Sequence, residues 1–298
     1  MEKKIISKIE LRHIPGDDKM DNLLQKSLDS IHGEMLKYVQ NNNIKSLVMG
    51  VSGGIDSALV AVIASKVAEE AGIPLIGSFV KIESNSPEEL SRALKLQSLF
   101  SNFSVTDLTQ EYETLVSSSM WTNPIKDVKE SDLQRKIRLG NIKARMRMMY
   151  FYNHAQMNKG LVLSTDNRTE ELLGFFTIHG DHNDFGPIQK LWKTEVYALA
   201  DYIQFHMDDG DVKQSLIETI DADATDGLGI TNSDLDQLTD IKFTSSQEGY
   251  EHVDNTLIAF LNNPLDLQDG KIIGRMLGTE FKREWPIVIP RGKIINSK

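Results

Sequence analysis

Chemistry is first concentrated at Ser52-Gly53-Gly54-Ile55-Asp56-Ser57, which follows the apolar run Leu47-Val48-Met49 and opens an apolar helical pattern. Two adjacent glycines let the backbone turn sharply and approach a ligand closely, because neither carries a Cβ. Such a turn aims backbone N–H groups, the Ser52 and Ser57 hydroxyls and a helix N-terminus at one point. That is an anion site, and phosphate is its usual occupant. Asp56 stands inside this positive nest, where a carboxylate competes with phosphate unless a divalent cation bridges the two. An ordinary strand-to-helix turn with a Ser or Asp cap accounts for one hydroxyl and one glycine. It leaves the doubled glycine, both serines and the aspartate together unexplained.

A second dense patch spans residues 163–194, LSTDNRTEELLGFFTIHGDHNDFGPIQKLWKT. It brings Thr165, Asp166, Arg168, Glu170, His179, Asp181, His182, Asp184, Lys190 and Lys193 between the apolar anchors Leu172, Leu173, Phe175 and Phe176. Polar groups between apolar anchors suggest a binding loop held by a scaffold. Glu170, just after a strand end, is placed to share a Mg²⁺ ion with Asp56, with phosphate oxygens and water completing the shell. Zinc suits the patch less well. The chain has no cysteine, and His179 and His182 at i,i+3 need further ligands that the sequence does not supply.

The elements that must position these groups can be read from periodicity. Apolar residues at Leu23, Leu24, Leu28, Ile31, Met35, Leu36 and Val39 predict a helix over 18–41 with one buried stripe. A short buried strand over 46–51 leads through Gly50 and Val51 into the glycine loop, and a helix over 58–71 stops at Gly72. A strand over 73–82 precedes Ser86-Pro87-Glu88-Glu89, a helix start with Ser as cap and Pro at the first position. That helix runs to about residue 100. A weaker strand over 102–108, a helix over 110–119 and a loop over 120–130 follow. The longest helical segment, 131–158, is expected to break at Gly160 before a fourth strand over 161–164.

Strands alternating with helices predict an α/β fold with a doubly wound, mainly parallel sheet flanked by helices. Ligands of such sheets sit beyond the carboxyl ends of the strands, where strand order reverses. Both polar patches fall at such ends. Farther on, a helix over 194–206 leads to an acidic, glycine-containing stretch that reads as irregular over about 208–230. Helices over 233–241 and 248–261 and a proline-containing tail complete the chain. No repeat or low-complexity linker divides the sequence. One domain over 1–298 is therefore expected, with its core at about 40–206 and a helical extension over about 207–298.

Composition narrows the class. The chain has 298 residues, is 40% hydrophobic and 26% charged, and carries a net charge of −10. That is long enough to bury a sizeable core and too acidic for a long basic surface that grips nucleic acid. The absence of cysteine excludes disulfides and a cysteine nucleophile, and fits a cytoplasmic location. The first residues are charged throughout and lack an apolar core of roughly 7–15 residues, so no secretory signal is expected. No apolar run is long enough for a membrane span.

The 52–57 loop resembles the SGGxDS loop of ATP pyrophosphatases, which cleave ATP between its α and β phosphates. Further motifs are similar to those of the NAD synthetase family: Gly140-Asn141-Ile142-Lys143-Ala144-Arg145, Ser164-Thr165-Asp166, Glu170, Gly174-Phe175-Phe176-Thr177, Gly180-Asp181, Asp184, Pro187 and Leu191-Trp192-Lys193-Thr194. They run in order through residues 45–200. After 210 the likeness rests on Ala224-Thr225-Asp226-Gly227 and Lys282-Arg283.

This resemblance implies an adenine nucleotide alpha hydrolase-like fold and a ligase that amidates deamido-NAD in two steps. The nicotinate carboxylate attacks the α-phosphate of ATP, and ammonia then displaces AMP. The resemblance assigns ATP contacts to Gly50, Val51, Ser52, Gly53, Gly54, Ile55, Asp56, Ser57, Thr165, Lys193 and Thr225, with Lys193 and Thr225 gripping the triphosphate from the far side. Asp56 and Lys193 carry the chemistry, and Asp56 and Glu170 hold Mg²⁺. Asn141, Arg145, Asp181, Asp184 and Lys282 handle deamido-NAD.

Three segments depart from the family pattern. Ile178 stands where a lysine that touches the dinucleotide is common, Phe281-Lys282 replaces a His-Lys pair, and Lys81 to Asn85 aligns poorly on the adenine side. Relatives that use glutamine carry a glutaminase domain with a cysteine nucleophile, so free ammonia, or ammonia from a separate glutaminase, is the expected nitrogen source. A homodimer is expected from the same resemblance. Two alternatives stand beside this reading: a related loop enzyme that adenylates another acceptor, and a nucleotide sensor without catalysis.

Overall fold

Helix α1 (Asp18–Asn41) begins where the Asp17 side chain accepts from the backbone N–H groups of Lys19 and Met20, and it buries Leu24, Met35 and Val39. The computed structural model describes residues 9–83, 85–118, 130–223, 233–265, 268–284 and 288–290. Strand β1 (Ser46–Gly50) follows, then α2 (Ile55–Ala71), β2 (Leu75–Lys81), α3 (Pro87–Lys95), β3 (Asn102–Asp107) and α4 (Thr109–Ser117). The long α5 (Asp132–Asn158) leads into β4 (Gly160–Val162).

The four strands among the described residues are parallel, in the order β3-β2-β1-β4. The chain steps outward from β1 to β2 and β3, then returns to the far side of β1. Strand order therefore reverses between β1 and β4, and the crevice beyond their carboxyl ends is the ligand position of such sheets. Successive side chains of a strand point to opposite faces. Val48 accordingly packs with Ile76, Val162 and the α5 residues Phe151 and Ala155. Leu47 and Met49 face a larger core that includes α1, α2 and α7 (Lys193–His206). Burial of each such side chain contributes about 1.5–3 kcal/mol.

Several boundaries differ from the periodic pattern for definable reasons. Gly54 is extended and serves as N-cap, so α2 starts at Ile55 rather than at residue 58. Asp56 thereby falls in the first helical turn. Lys159, at φ 52°, ends α5. Gly160 opens β4 instead of breaking the helix, and a Cβ there would stand 2.2 Å from Ser46 Oγ on the neighbouring strand.

The stretch over 208–230, read as irregular, contains α8 (Asp211–Asp221). Val212, Leu216 and Ile220 recur every fourth residue and hold this helix against the core despite its acidic composition. Residues 224–230, including Thr225, lie outside the described residues, as does most of the loop expected over 120–130. A short helix, α6 (Arg168–Leu173), follows β4, and α9 (Leu235–Leu238) and α10 (Ser246–Asn262) follow α8. A further helix not read from the sequence, α11 (Gly270–Gly278), buries Ile272, Ile273 and Met276.

Candidate active site

Gly53 sits at φ +80°, a conformation that side chains rarely adopt, and a Cβ there would stand 2.1 Å from the Glu89 carbonyl oxygen on α3. Glycine is thus required twice, by the turn and by the helix lying on it. The two serines hold the loop together from inside. Ser52 N donates to Ser57 Oγ across 3.2 Å, Gly54 N donates to Ser52 Oγ at 3.2 Å, and Ser57 Oγ donates to the Gly54 carbonyl at 3.0 Å.

The opposite wall comes from the segment after β4. Asn167 caps α6 in a reciprocal capping box with Glu170, the two bonds being 3.0 and 3.2 Å. Its amide also donates to Asp56 Oδ1 at 2.8 Å. Lys193, the first residue of α7, places Nζ against Asp56 Oδ2 and 3.1 Å from Glu170 Oε1. The ammonium therefore stands between the two carboxylates, rather than across the site from them.

Behind this triad lies Asp254 of α10, with no exposure. It accepts from Thr169 Oγ1 at 2.5 Å, from Thr194 N at 2.9 Å and from the Thr194 hydroxyl. Lys193 N in turn donates to Thr169 Oγ1 at 2.9 Å. One carboxylate thus fixes the neighbours of both Glu170 and Lys193.

The electrostatics follow from loss of water and from close charges. Desolvation pushes the Glu170 carboxyl well up. Lys193 opposes that shift, while Asp56 and Asp166 add to it. For Lys193 desolvation acts downward, yet the Asp56 and Glu170 charges hold its pKa well above the ordinary lysine value. Burial raises Asp254 to about 6. Asp181 is also raised to about 6, by burial and by the Asp166 charge, against the bond from Thr177 N. His182 is pulled down by burial but carried up overall by its hydrogen bond to Asp166, 2.6 Å away, and its ring stacks on Phe176 at 4.0 Å.

Asp56, Asp166, Glu170, Asp181 and Lys193 open into a cavity of about 380 Å³ at the sheet's switch point. Of the residues singled out from the sequence, Gly50, Val51, Ser52, Gly54, Ile55, Asp56, Ser57, Asn141, Thr165, Glu170, Asp181, Lys193 and Lys282 line it. Gly53 lies beneath α3. Lys282 reaches the cavity while donating to the Gly174 carbonyl at 2.7 Å and the Phe176 carbonyl at 2.5 Å.

Arg145 and Asp184 are not brought to the cavity wall. Arg145 is exposed and donates to the Ile178 carbonyl at 3.2 Å. Asp184 accepts from Tyr152 Oη at 2.9 Å and from Val162 N at 3.0 Å, and so pins the end of β4. Among the described residues no group of three or more His, Asp or Glu side chains is arranged to hold a metal alone. Asp56 and Glu170 nevertheless present hard oxygens of the kind that Mg²⁺ takes together with phosphate and water. The Lys193 ammonium between them is not a ligand and would have to turn to the phosphates for both carboxylates to hold one ion.

Sequence patterns missed Asn167 and Asp254. The first had a readable signal, the N-x-x-E spacing of a capping box. The second had none, because its partners lie 85 and 60 residues away.

A parallel sheet with a Ser-Gly-Gly-Ile-Asp-Ser loop at its switch point, faced by a carboxylate and a lysine, defines an ATP-binding α/β protein of the pyrophosphate-releasing kind. The profile of a family described as NAD synthase matches residues 27–286. The chain belongs to the NAD synthase family, whose members form NAD by ATP-dependent amidation.

An NH₃-dependent NAD⁺ synthetase of Campylobacter jejuni subsp. doylei is 30% identical over 268 residues, covering 89% of this chain and 98% of that protein. One from Mycoplasmopsis pulmonis is 38% identical over 166 residues, covering 54% of this chain and 58% of its own length. Among solved structures, an NH₃-dependent NAD synthetase of Campylobacter jejuni subsp. jejuni, in complex with nitrate, superposes with TM-score 0.61 at 25% identity, covering 90% of this chain and 99% of that one. An NMN synthetase of Francisella tularensis gives TM-score 0.69 at 23% identity, over 90% and 98% of the two chains. That likeness concerns the fold.

Proposed function

We propose that this chain converts deamido-NAD to NAD with ATP, Mg²⁺ and ammonia, releasing AMP and pyrophosphate. The observation that carries the reading is the Lys193 ammonium set between Asp56 and Glu170 beside the 52–57 loop. A carboxylate becomes a good acyl donor only when its oxygen is made a good leaving group. In the first step a nicotinate carboxylate oxygen bonds to the α-phosphorus, and the bond from that phosphorus to the pyrophosphate oxygen breaks. Phosphoryl-type transfer depends on positioning and on neutralising charge rather than on covalent help from the protein.

The 52–57 loop receives the departing pyrophosphate with backbone N–H groups and the α2 N-terminus. Lys193 offsets its growing charge, Thr165 helps place ATP, and Thr225 contributes from the segment after α8. Asp56 and Glu170 hold Mg²⁺, which when bound supplies further neutralisation of the phosphates.

In the second step ammonia attacks the acyl carbon, the bond to the AMP oxygen breaks with its electron pair on AMP, and the nitrogen loses a proton. Asn141, Asp181 and Lys282 contact the acceptor within the cavity. Arg145 and Asp184 face outward and reach only an acceptor that extends past it. The sheet core and the C-terminal helices act as one domain, since Asp254 of α10 buttresses Glu170 and Lys193. We further propose a homodimer in the cytoplasm, fed by free ammonia or by a separate glutaminase. No helix among the described residues is long and apolar enough to cross a membrane.

The test is incubation with ATP, Mg²⁺, ammonium and deamido-NAD, measuring NAD, AMP and pyrophosphate. Nicotinate mononucleotide is assayed in parallel, because an NMN synthetase shares the fold. AMP release only with the mononucleotide would reassign the acceptor. No AMP with either would overturn the adenylation itself.

A further inference from the structure

A cation in the cavity wall has no role in the chemistry described above. Arg92 lies on α3 and lines the cavity beside Ser52 and Gly54. Its Nε donates to the Gly53 carbonyl at 2.6 Å, so the guanidinium rests on the middle of the phosphate loop. The helix beneath it is held from behind. The Arg92 carbonyl accepts from Ser215 Oγ of α8 at 2.8 Å, and Lys95 pairs with Glu218 of the same helix. Helix α3 is therefore fixed between the loop and α8, which holds the Arg92 backbone beside Gly53.

The other cations of the wall have evident partners. Lys193 stands between two carboxylates. Arg147 donates to the Val80 carbonyl at 3.1 Å and to Asn85 Oδ1 at 2.8 Å. Arg275 donates to the Leu173 carbonyl at 3.0 Å and packs on the Phe175 ring at 3.8 Å. Lys282 serves two carbonyls. The acid nearest Arg92 on its own helix, Glu89, accepts from Ser86 N and from the Asn85 amide, both at 3.0 Å. Arg92 commits one of its five N–H donors to Gly53. Its charge also acts on Glu218 of α8, which is already paired with Lys95, and its side chain lines the cavity at a loop built for phosphate.

We propose that Arg92 binds the β- and γ-phosphates of ATP and retains the departing pyrophosphate. The planar guanidinium matches pairs of phosphate oxygens in a way that an ammonium cannot. At the same time the Nε bond engages the Gly53 carbonyl, whose negative end would otherwise be available to oppose phosphate. This role rests on the ATP chemistry proposed above and adds to it the group that grips the leaving end. A charge placed there acts on a species that forms as the bond breaks, so it serves the reaction as well as binding.

Wild-type protein is first shown to release AMP and pyrophosphate; if it does not, the ATP reading fails rather than the role of Arg92. Arg92→Ala and Arg92→Lys are then compared by ATP KM and by inhibition with added pyrophosphate. The expected result for Arg92→Ala is a tenfold or larger rise in both ATP KM and the pyrophosphate inhibition constant, with deamido-NAD KM within twofold. Arg92→Lys should recover part of the pyrophosphate affinity, because it keeps the charge and loses the fork. Should Arg92→Ala not fold, Arg92→Lys and Arg92→Gln at unchanged melting temperature decide the matter, with Gln the weaker pyrophosphate binder. Pyrophosphate inhibition within twofold of wild type in the folded variants would overturn the proposal. Equal losses for ATP and deamido-NAD would also overturn it, leaving Arg92 a loop support only.

Discussion

The Asn167 amide donates to Asp56 Oδ1 across 2.8 Å, joining the turn after β4 to the first turn of the helix after β1. The same side chain caps α6 and so sets the direction of Glu170. One residue thereby fixes the spacing of the two carboxylates proposed to hold the metal. Asn167→Ala should lose the cap, worth about 1 kcal/mol, and lower the melting temperature by about 2–4 °C. Activity should fall more than that modest destabilisation implies, with kcat/KM for ATP reduced roughly tenfold or more. Steady-state kinetics alongside thermal unfolding separate the two effects.

Lys193→Met removes the ammonium between Asp56 and Glu170 while keeping most of the side-chain volume. Uncompensated charges in such a site cost about 3–5 kcal/mol. Glu170 already has a raised carboxyl pKa, and without Lys193 it should rise further. A folded-state pKa above the unfolded one gives stability at low pH that is lost as pH climbs through the folded value. Glu170 is raised to about 8 in the wild type, so the deficit of the variant should grow as pH rises from 7 to 9. Urea unfolding at the two pH values checks the sign, and NAD formation should be abolished at both.

Asp254 predicts an effect on stability and a separate one on pH dependence. Asp254→Ala leaves two hydroxyls and one backbone N–H buried without their acceptor, each costing about 1–3 kcal/mol. Asp254→Asn keeps the shape and an acceptor but cannot ionise. Since Asp254 is raised to about 6, wild-type stability relative to the Asn variant should be greatest below pH 4. It should decline by roughly 1–3 kcal/mol as pH rises through 6. Denaturation midpoints of the pair across pH 4–7 provide the measurement.

Removal of divalent ions should stop the first step, not only the second. With excess chelator neither AMP nor pyrophosphate should form, and added Mg²⁺ should restore both. Asp56→Asn should require several-fold more Mg²⁺ for half-maximal rate, because one of the two proposed carboxylate ligands has become neutral. A Mg²⁺ titration of pyrophosphate release measures it.

The glycine loop, the alternation of strands and helices and the Ser86 cap were legible because each is a local pattern whose physics involves near neighbours. The acidic stretch around α8 was misread because composition obscured an apolar spacing of four. Helix α11 was missed because its apolar residues lie in a short segment between turn-forming residues. Arg145 and Asp184, in motifs that pointed to the substrate, bond to Ile178 and to Tyr152 and Val162 and do not line the cavity, an arrangement that the motifs alone do not encode.

The sequence by itself determined a phosphate loop, a parallel α/β scaffold and a family, since these follow from residue types at fixed short spacing. Only the tertiary structure decided that Lys193 stands between Asp56 and Glu170, that Asn167 and Asp254 fix them, and that Arg92 lies against Gly53. Apart from the local cap of Asn167 on Glu170, those relationships join residues 23 to 137 positions apart along the chain. The contacts of Asp56 with Asn167 and Lys193 form because the reversal of strand order brings the ends of β1 and β4 together, and that of Arg92 with Gly53 because β2 lies on the other side of β1; no local preference encodes either meeting.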